Sequence, residues 1–67
     1  MTIEEARQIF TIGTRVRSGN HSGTIIWHPW PDQIGTPLVS VRWDTEVFRN
    51  SGNYETLETA SRLEVIR

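Results

Sequence analysis

The stretch Leu38-Val39-Ser40-Val41-Arg42-Trp43-Asp44 constrains the fold more than any other part of the chain. Val39, Val41 and Trp43 fall on one parity, and Leu38, Ser40 and Arg42 fall on the other. Side chains alternate between the two faces of a strand, so this pattern predicts a strand with one wall in a core. Two valines and a tryptophan also suit a pleated, half-buried surface. Leu38 departs from the alternation, at the point where the strand leaves its loop.

The remaining segments read as short elements closing around that strand. Thr2 is a suitable N-cap, with Glu5 three residues on as in a capping box, and Ile3, Ala6 and Phe10 share one face at helical spacing. This predicts a short helix, serving either as a lid on an open barrel end or as a partner-binding arm. Arg15-Val16-Arg17 predicts a strand with Val16 inward and both arginines in water. The turn formers Ser18-Gly19-Asn20-His21-Ser22-Gly23 follow, and then a second strand, Thr24-Ile25-Ile26-Trp27-His28. One of Ile26 or Trp27 is expected to join Trp43 in the core.

Residues 29–37 read as the longest loop, because they hold all three prolines and proline cannot serve in a central strand. After the central strand, Asn50-Ser51-Gly52-Asn53 signals a turn. Tyr54 to Glu58 form a fourth strand with Tyr54 and Thr56 on one side. Thr59-Ala60-Ser61-Arg62 fits a 3₁₀ turn. Leu63-Glu64-Val65-Ile66 closes as a fifth strand, with Leu63 and Val65 inward and Ile66 covering an end. The expectation is an all-β chain, a five-stranded barrel at residues 12–67 preceded by a helical arm at residues 1–11. A chain of 67 residues is one domain, and at this size only ~60% of the unfolded surface is buried, so the core is small. Closing into a barrel removes most exposed edges.

The order Ile12-Gly13-Thr14-Arg15-Val16-Arg17, Gly23-Thr24-Ile25-Ile26, Val39-Ser40-Val41-Arg42-Trp43-Asp44 and Leu63-Glu64-Val65-Ile66 resembles the SH3-like barrels. Arg15-Val16-Arg17, Gly23-Thr24-Ile25 and residues 39–44 look similar to two accessory binding subunits. One is the peripheral subunit at the ferredoxin-docking side of photosystem I, and the other is the variable subunit of ferredoxin–thioredoxin reductase. Gly23-Thr24-Ile25 and Val41-Arg42-Trp43-Asp44 are similar to the peptide-binding mind-bomb type of domain, without its longer glycine-rich first loop. The opening strands and Ala60-Ser61-Arg62-Leu63-Glu64-Val65-Ile66 also resemble type II dihydrofolate reductase, a symmetric tetramer that uses NADPH. That family lines its pore with a Val-Gln-Ile-Tyr segment. Here the corresponding stretch is Asn53-Tyr54-Glu55-Thr56-Leu57-Glu58, so no catalytic residue carries over. The resemblance implies a fold common to many activities.

The chemistry-bearing residues point away from catalysis. There is no cysteine, which excludes disulfides and thiolate metal sites and favours a cytoplasmic home. His21 and His28 stand seven residues apart with only Asp32 nearby, which matches no metal spacing. Ser18 or Ser22 with His21 and Asp32 spells a triad that composition alone would produce, and no nucleophile elbow accompanies it. Asp44 is expected to cap a turn or pair with Arg15 or Arg42. Glu55 and Glu58 are read as solvated, and no glycine-rich phosphate loop precedes a helix. No catalytic residue, metal or cofactor is assigned. The N-terminus lacks a signal-peptide pattern, and no apolar run approaches the ~20 residues that span a bilayer, so no membrane insertion is expected.

The aromatics are the informative residues. Trp30 stands between Pro29 and Pro31, which stiffen it as an interface anchor or fold it back over the barrel end. The predicted contact surface is Trp27, Trp30, Asp32, Arg42 and Tyr54, gripping a protein partner. A stripe of Arg15, Arg17 and Arg42 beside Trp30 and Tyr54 would also suit single-stranded nucleic acid. The net charge of −1 argues against that partner. Association of the chain with itself stays open.

Overall fold

The computed structural model describes residues 1–45 and 54–66. The described residues form one five-stranded antiparallel sheet and one short N-terminal helix. The elements are α1 (Ile3–Ile9), β1 (Arg15–Ser18), β2 (His21–Pro31), β3 (Pro37–Trp43), β4 (Glu55–Thr59), a 3₁₀ turn (Ala60–Arg62) and β5 (Glu64–Val65). The sheet order is β4-β3-β2-β1-β5. Among the described residues no ladder joins β4 to β5. The turn signal at residues 50–53 lies outside the described residues.

The helix begins as its sequence dictates. The Thr2 side chain accepts from the Glu5 amide at 3.1 Å, and the Glu5 carboxylate accepts from the Thr2 amide at 3.2 Å. Two of the amides that a helix start leaves without partners are thereby satisfied. Glu5 is held below the ordinary carboxylate range by its bonds to Thr2. Ala6 and Phe10 enter the same core cluster as the strands, and Ile3 is half-buried. The helix also packs on β2, where the Arg7 Nε donates to the Pro29 carbonyl at 3.4 Å.

The core lies on one face of the sheet. It contains Val16, Ile25, Val39, Val41 and Trp43, joined by Ala6, Phe10, Ala60 and Leu63, with Val65 packed against it. Ile66 is 40% exposed and does not seal an end. β1 and β2 meet in a tighter hairpin than the run of turn formers suggests: Ser18 pairs with His21, so only Gly19 and Asn20 form the loop. Gly19 has φ +59°, which glycine adopts without penalty.

β2 differs most from the sequence reading. Residues 29–37 are not one long loop, because Trp30 pairs with Leu38 and Pro31 with Pro37. Pro29 and Pro31 fit in β2 for a physical reason, while Pro37 is the first residue of β3. β1 reaches only as far as Thr24 on β2, so among the described residues no strand lies on that side of β2 beyond Ile25. Proline is tolerated on an edge. The true connection is the tip between Pro31 and Pro37. There the Asp32 Oδ1 accepts from the Ile34 and Thr36 amides, each at 2.9 Å, and Gly35 takes φ +86°.

Candidate functional site

Two irregularities in β2 decide what the sheet presents to solvent. Ile25 pairs with Val41, and Trp27 pairs with the very next residue of β3, Ser40. Ile26 is therefore an extra residue. A second shift lies between Trp27 and Trp30, which pair with Ser40 and Leu38. A bulge inserts one residue and re-aims the side chains that follow. An unbroken alternation would send Trp27 inward with Ile25. The first bulge turns it outward, and the second lets Pro29 enter the interior while Trp30 also lies on the outer face. Ile25, rather than Ile26 or Trp27, is thus the large β2 side chain that joins Trp43 in the core: Ile26 is half-buried and Trp27 is 55% exposed.

β4 completes this outer face. Leu57 pairs with Ser40, which in turn pairs with Trp27, so Trp27, Ser40 and Leu57 form one row across three strands. At the usual inter-strand spacing the two apolar residues are about 10 Å apart, with the small Ser40 between them. Leu57 is 62% exposed. The next row is Trp30, Leu38 and Thr59, and the row on the other side is Thr24, Arg42 and Glu55. Two indoles and two leucines therefore lie on a sheet surface, bounded at one end by charge. Trp27 additionally stacks on His28, with ring centroids 4.8 Å apart and planes 31° from parallel.

The predicted contact residues are partly assembled by this geometry. Trp27, Trp30 and Arg42 share the outer face. Asp32 instead organises the hairpin tip through Oδ1. Tyr54 falls on the parity of Thr56, the opposite face, and its carbonyl accepts from the Trp43 amide at 2.6 Å. Leu38 and Leu57 are the members that sequence reasoning missed. Leu57 carried a signal: it is the one apolar residue in Glu55-Thr56-Leu57-Glu58-Thr59, on the parity opposite to Thr56 and Glu58.

The three arginines of the outer face each meet a carboxylate. Arg15 clamps Asp44 with two bonds, Nη1 to Oδ1 at 2.9 Å and Nη2 to Oδ2 at 2.5 Å, and Nη1 also donates to the Thr24 hydroxyl at 2.8 Å. Arg17 meets Glu64 at 2.6 Å, and Arg42 meets Glu55 at 3.5 Å. The arginine stripe is therefore neutralised along its length. The bond from Arg15, with its positive charge, holds Asp44 below the ordinary carboxylate range and raises Arg15 in turn. A carboxylate whose folded pKa lies below its unfolded one adds stability above the unfolded pKa and loses it as pH falls through the folded pKa. Asp44→Asn is accordingly expected to lower the urea midpoint at neutral pH, with the gap to wild type shrinking in acid. A gap that stays constant or widens in acid would contradict the assignment.

On the inner face, a small cavity of about 100 Å³ is lined by Ser18, His21, Trp43 and Glu58. The Trp43 indole donates to the Thr56 hydroxyl at 2.7 Å, and that hydroxyl donates to Glu58 at 2.9 Å. Glu58 is therefore half-buried and bonded inward, not a solvated strand position. His21 stands edge-on to Trp43, with centroids 6.3 Å apart. No triad forms, since His21 opens β2 while Asp32 lies beyond its other end. Among the described residues no group of histidine, aspartate or glutamate has the arrangement of a metal site. No helix among them is long and apolar enough to cross a membrane. No protein-family model matches the chain, and neither a curated protein nor a solved structure matches it.

Proposed function

We propose that this chain is a non-catalytic protein-binding module, a small accessory subunit that docks through the outer face of β2, β3 and β4. The observation that carries the reading is the outward placement of Trp27 beside Leu57, two large apolar side chains more than half exposed on a rigid sheet. Contiguous exposed apolar surface with a polar rim is characteristic of interaction sites. Trp30 and Leu38 extend the apolar area, and the Arg42–Glu55 pair forms part of the rim. Tryptophan is enriched among residues that dominate binding energy, and sheet positions hold it with little entropy left to lose on docking.

The strand order, the bent β2 and the 3₁₀ turn between β4 and β5 support an SH3-like barrel as the fold type. The resemblance of Arg15-Val16-Arg17, Gly23-Thr24-Ile25 and residues 39–44 to accessory subunits of photosynthetic and redox assemblies supports the same role. The test is capture of partners from a native lysate by immobilised wild type, Trp27→Ala and Trp30→Ala, followed by titration of whatever binds. Trp27→Ala is expected to keep the circular dichroism of the wild type and to weaken binding by about 2 kcal/mol or more, roughly thirtyfold. Retention of the same partners at unchanged affinity by a folded Trp27→Ala protein would sink the reading.

A further inference from the structure

We propose that the inner-face cavity binds a primary alkylammonium group, with the Glu58 carboxylate as its counterion. The site lies on the face opposite to Trp27 and Leu57, so the inference goes beyond the docking surface described above.

Four strands bring the lining together. Ser18 ends β1 and His21 opens β2, and the two are partners in the last pair of that hairpin. Trp43 ends β3, and Glu58 comes from β4. Ser18 keeps the parity of the buried Val16, and Glu58 that of Thr56, so both lie on the inner face. The lining grades from the exposed His21 to the nearly buried Trp43.

Charge singles out Glu58. Asp44 meets Arg15, Glu64 meets Arg17 and Glu55 meets Arg42. Glu58 is half-buried, yet among the described residues no arginine or histidine pairs with it. Its bond there comes from the neutral Thr56 hydroxyl, accepted at Oε1. An ionised carboxylate offers about four acceptor sites on its two oxygens, so most of that capacity is left beside the cavity. A charge drawn partly out of water is costly unless an opposite charge accompanies it. A cation in the cavity would offset that cost.

The neighbours suit an organic ammonium and not a metal ion. The Trp43 indole N–H is already given to Thr56, so the ring brings the cavity no donor. What it brings is a π surface, which attracts cations and packs against methylenes. The Ser18 hydroxyl adds an acceptor, and an ammonium carries three donors and no acceptor. A hard divalent cation needs six or more oxygen ligands, whereas one carboxylate and one hydroxyl line this cavity. The size agrees. A water molecule, one heavy atom, takes ~30 Å³ of liquid, so the cavity of about 100 Å³ has room for roughly the three heavy atoms of an aminoethyl end. The seven basic residues of this chain are all arginine, so a lysine side chain in the cavity would belong to another protein. The other source of the same chemistry is a free amine.

The experiment is an NMR titration of the isotope-labelled protein with n-butylammonium chloride, with n-butanol and with N-acetyl-lysine methylamide, at constant ionic strength. The indole N–H signals are the readout. n-Butylammonium is expected to move the Trp43 signal along a saturating curve and to leave those of Trp27 and Trp30 in place. n-Butanol has a similar shape without the charge, and is expected to bind at least about tenfold more weakly. Glu58→Gln keeps an oxygen for the Thr56 hydroxyl and removes the charge. It is expected to keep the circular dichroism of the wild type and to weaken n-butylammonium binding by about tenfold or more. If this variant fails to fold, the comparison of n-butylammonium with n-butanol on the wild type decides alone. A lysine derivative that binds at least as tightly as n-butylammonium assigns the site to a protein side chain, and one that binds more weakly assigns it to a free amine; both uphold the ammonium site. The proposal is overturned if neither amine gives a saturating shift of the Trp43 signal, or if n-butanol binds as tightly as n-butylammonium. A folded Glu58→Gln protein with wild-type affinity would overturn it as well.

Discussion

Gly23→Ala is expected to lower stability by about 1–3 kcal/mol although it adds a single methyl group. Gly23 is buried in β2 and pairs with Trp43. A Cβ there would sit 2.7 Å from the Val41 Cγ1, 2.8 Å from the Arg42 carbonyl oxygen and 3.0 Å from the Trp43 Cε3. The carbonyl belongs to the neighbouring strand and cannot retreat without opening the ladder. The two side chains belong to the close-packed core, where there is little room to yield. The effect comes from this close approach and not from an unusual backbone angle, since among the described residues the glycines with positive φ are Gly13, Gly19 and Gly35. A domain of 67 residues has a total stability of roughly 3–10 kcal/mol by the usual per-residue scale. The urea midpoint should therefore fall clearly, while Ser22→Ala on the same strand should leave it nearly unchanged. Equal midpoints for Gly23→Ala and wild type would mean that Trp43 does not pack on bare backbone.

Ile25→Ala is expected to be more damaging still, at about 2–5 kcal/mol, with Ile25→Val costing only about 0.5–1.5 kcal/mol. Ile25 is fully buried, with β3 on one side of it and the backbone of Gly13 and Thr14, just before β1, on the other. Its amide donates to the Thr14 carbonyl at 2.9 Å, and its carbonyl accepts from the Gly13 amide at 2.8 Å. Its side chain belongs to the same cluster as Val16, Val39 and Val41. Shortening it leaves a cavity amid side chains that are anchored by three strands and cannot collapse freely. Against roughly 3–10 kcal/mol in total, this loss leaves a substantial unfolded population at ambient temperature. Thermal melts followed by circular dichroism would show it. An Ile25→Ala melt that coincides with that of Ile25→Val would place the core elsewhere.

Much of the fold was legible because the signals are local. The Thr2 and Glu5 pair lies within one helical turn, and its two bonds form as the spacing requires. Val39, Val41 and Trp43 face inward on an unbroken alternation, and Val16 does the same between Arg15 and Arg17. The pairing of Asp44 with Arg15 was one of the two arginine pairings the charges allowed, and it reaches across β2 from the end of β3 to β1. The outer face was legible in part: Trp27, Trp30 and Arg42 were named, whereas Leu38 and Leu57 were not.

The chain by itself determined which segments supply strands, which residues could fill a core, and that an indole stood braced between prolines. Tertiary structure decided which way those indoles point. A bulge adds one residue on one strand only, so it becomes visible when the partner strand supplies the count. The same holds for Pro29 and Pro31, which fit in β2 because β1 stops short of them. It holds also for β4, where a terminal place in the sheet leaves Thr56 and Glu58 half-buried on the inner face and Leu57 in water. Face and edge are relations between strands, and no single segment contains them.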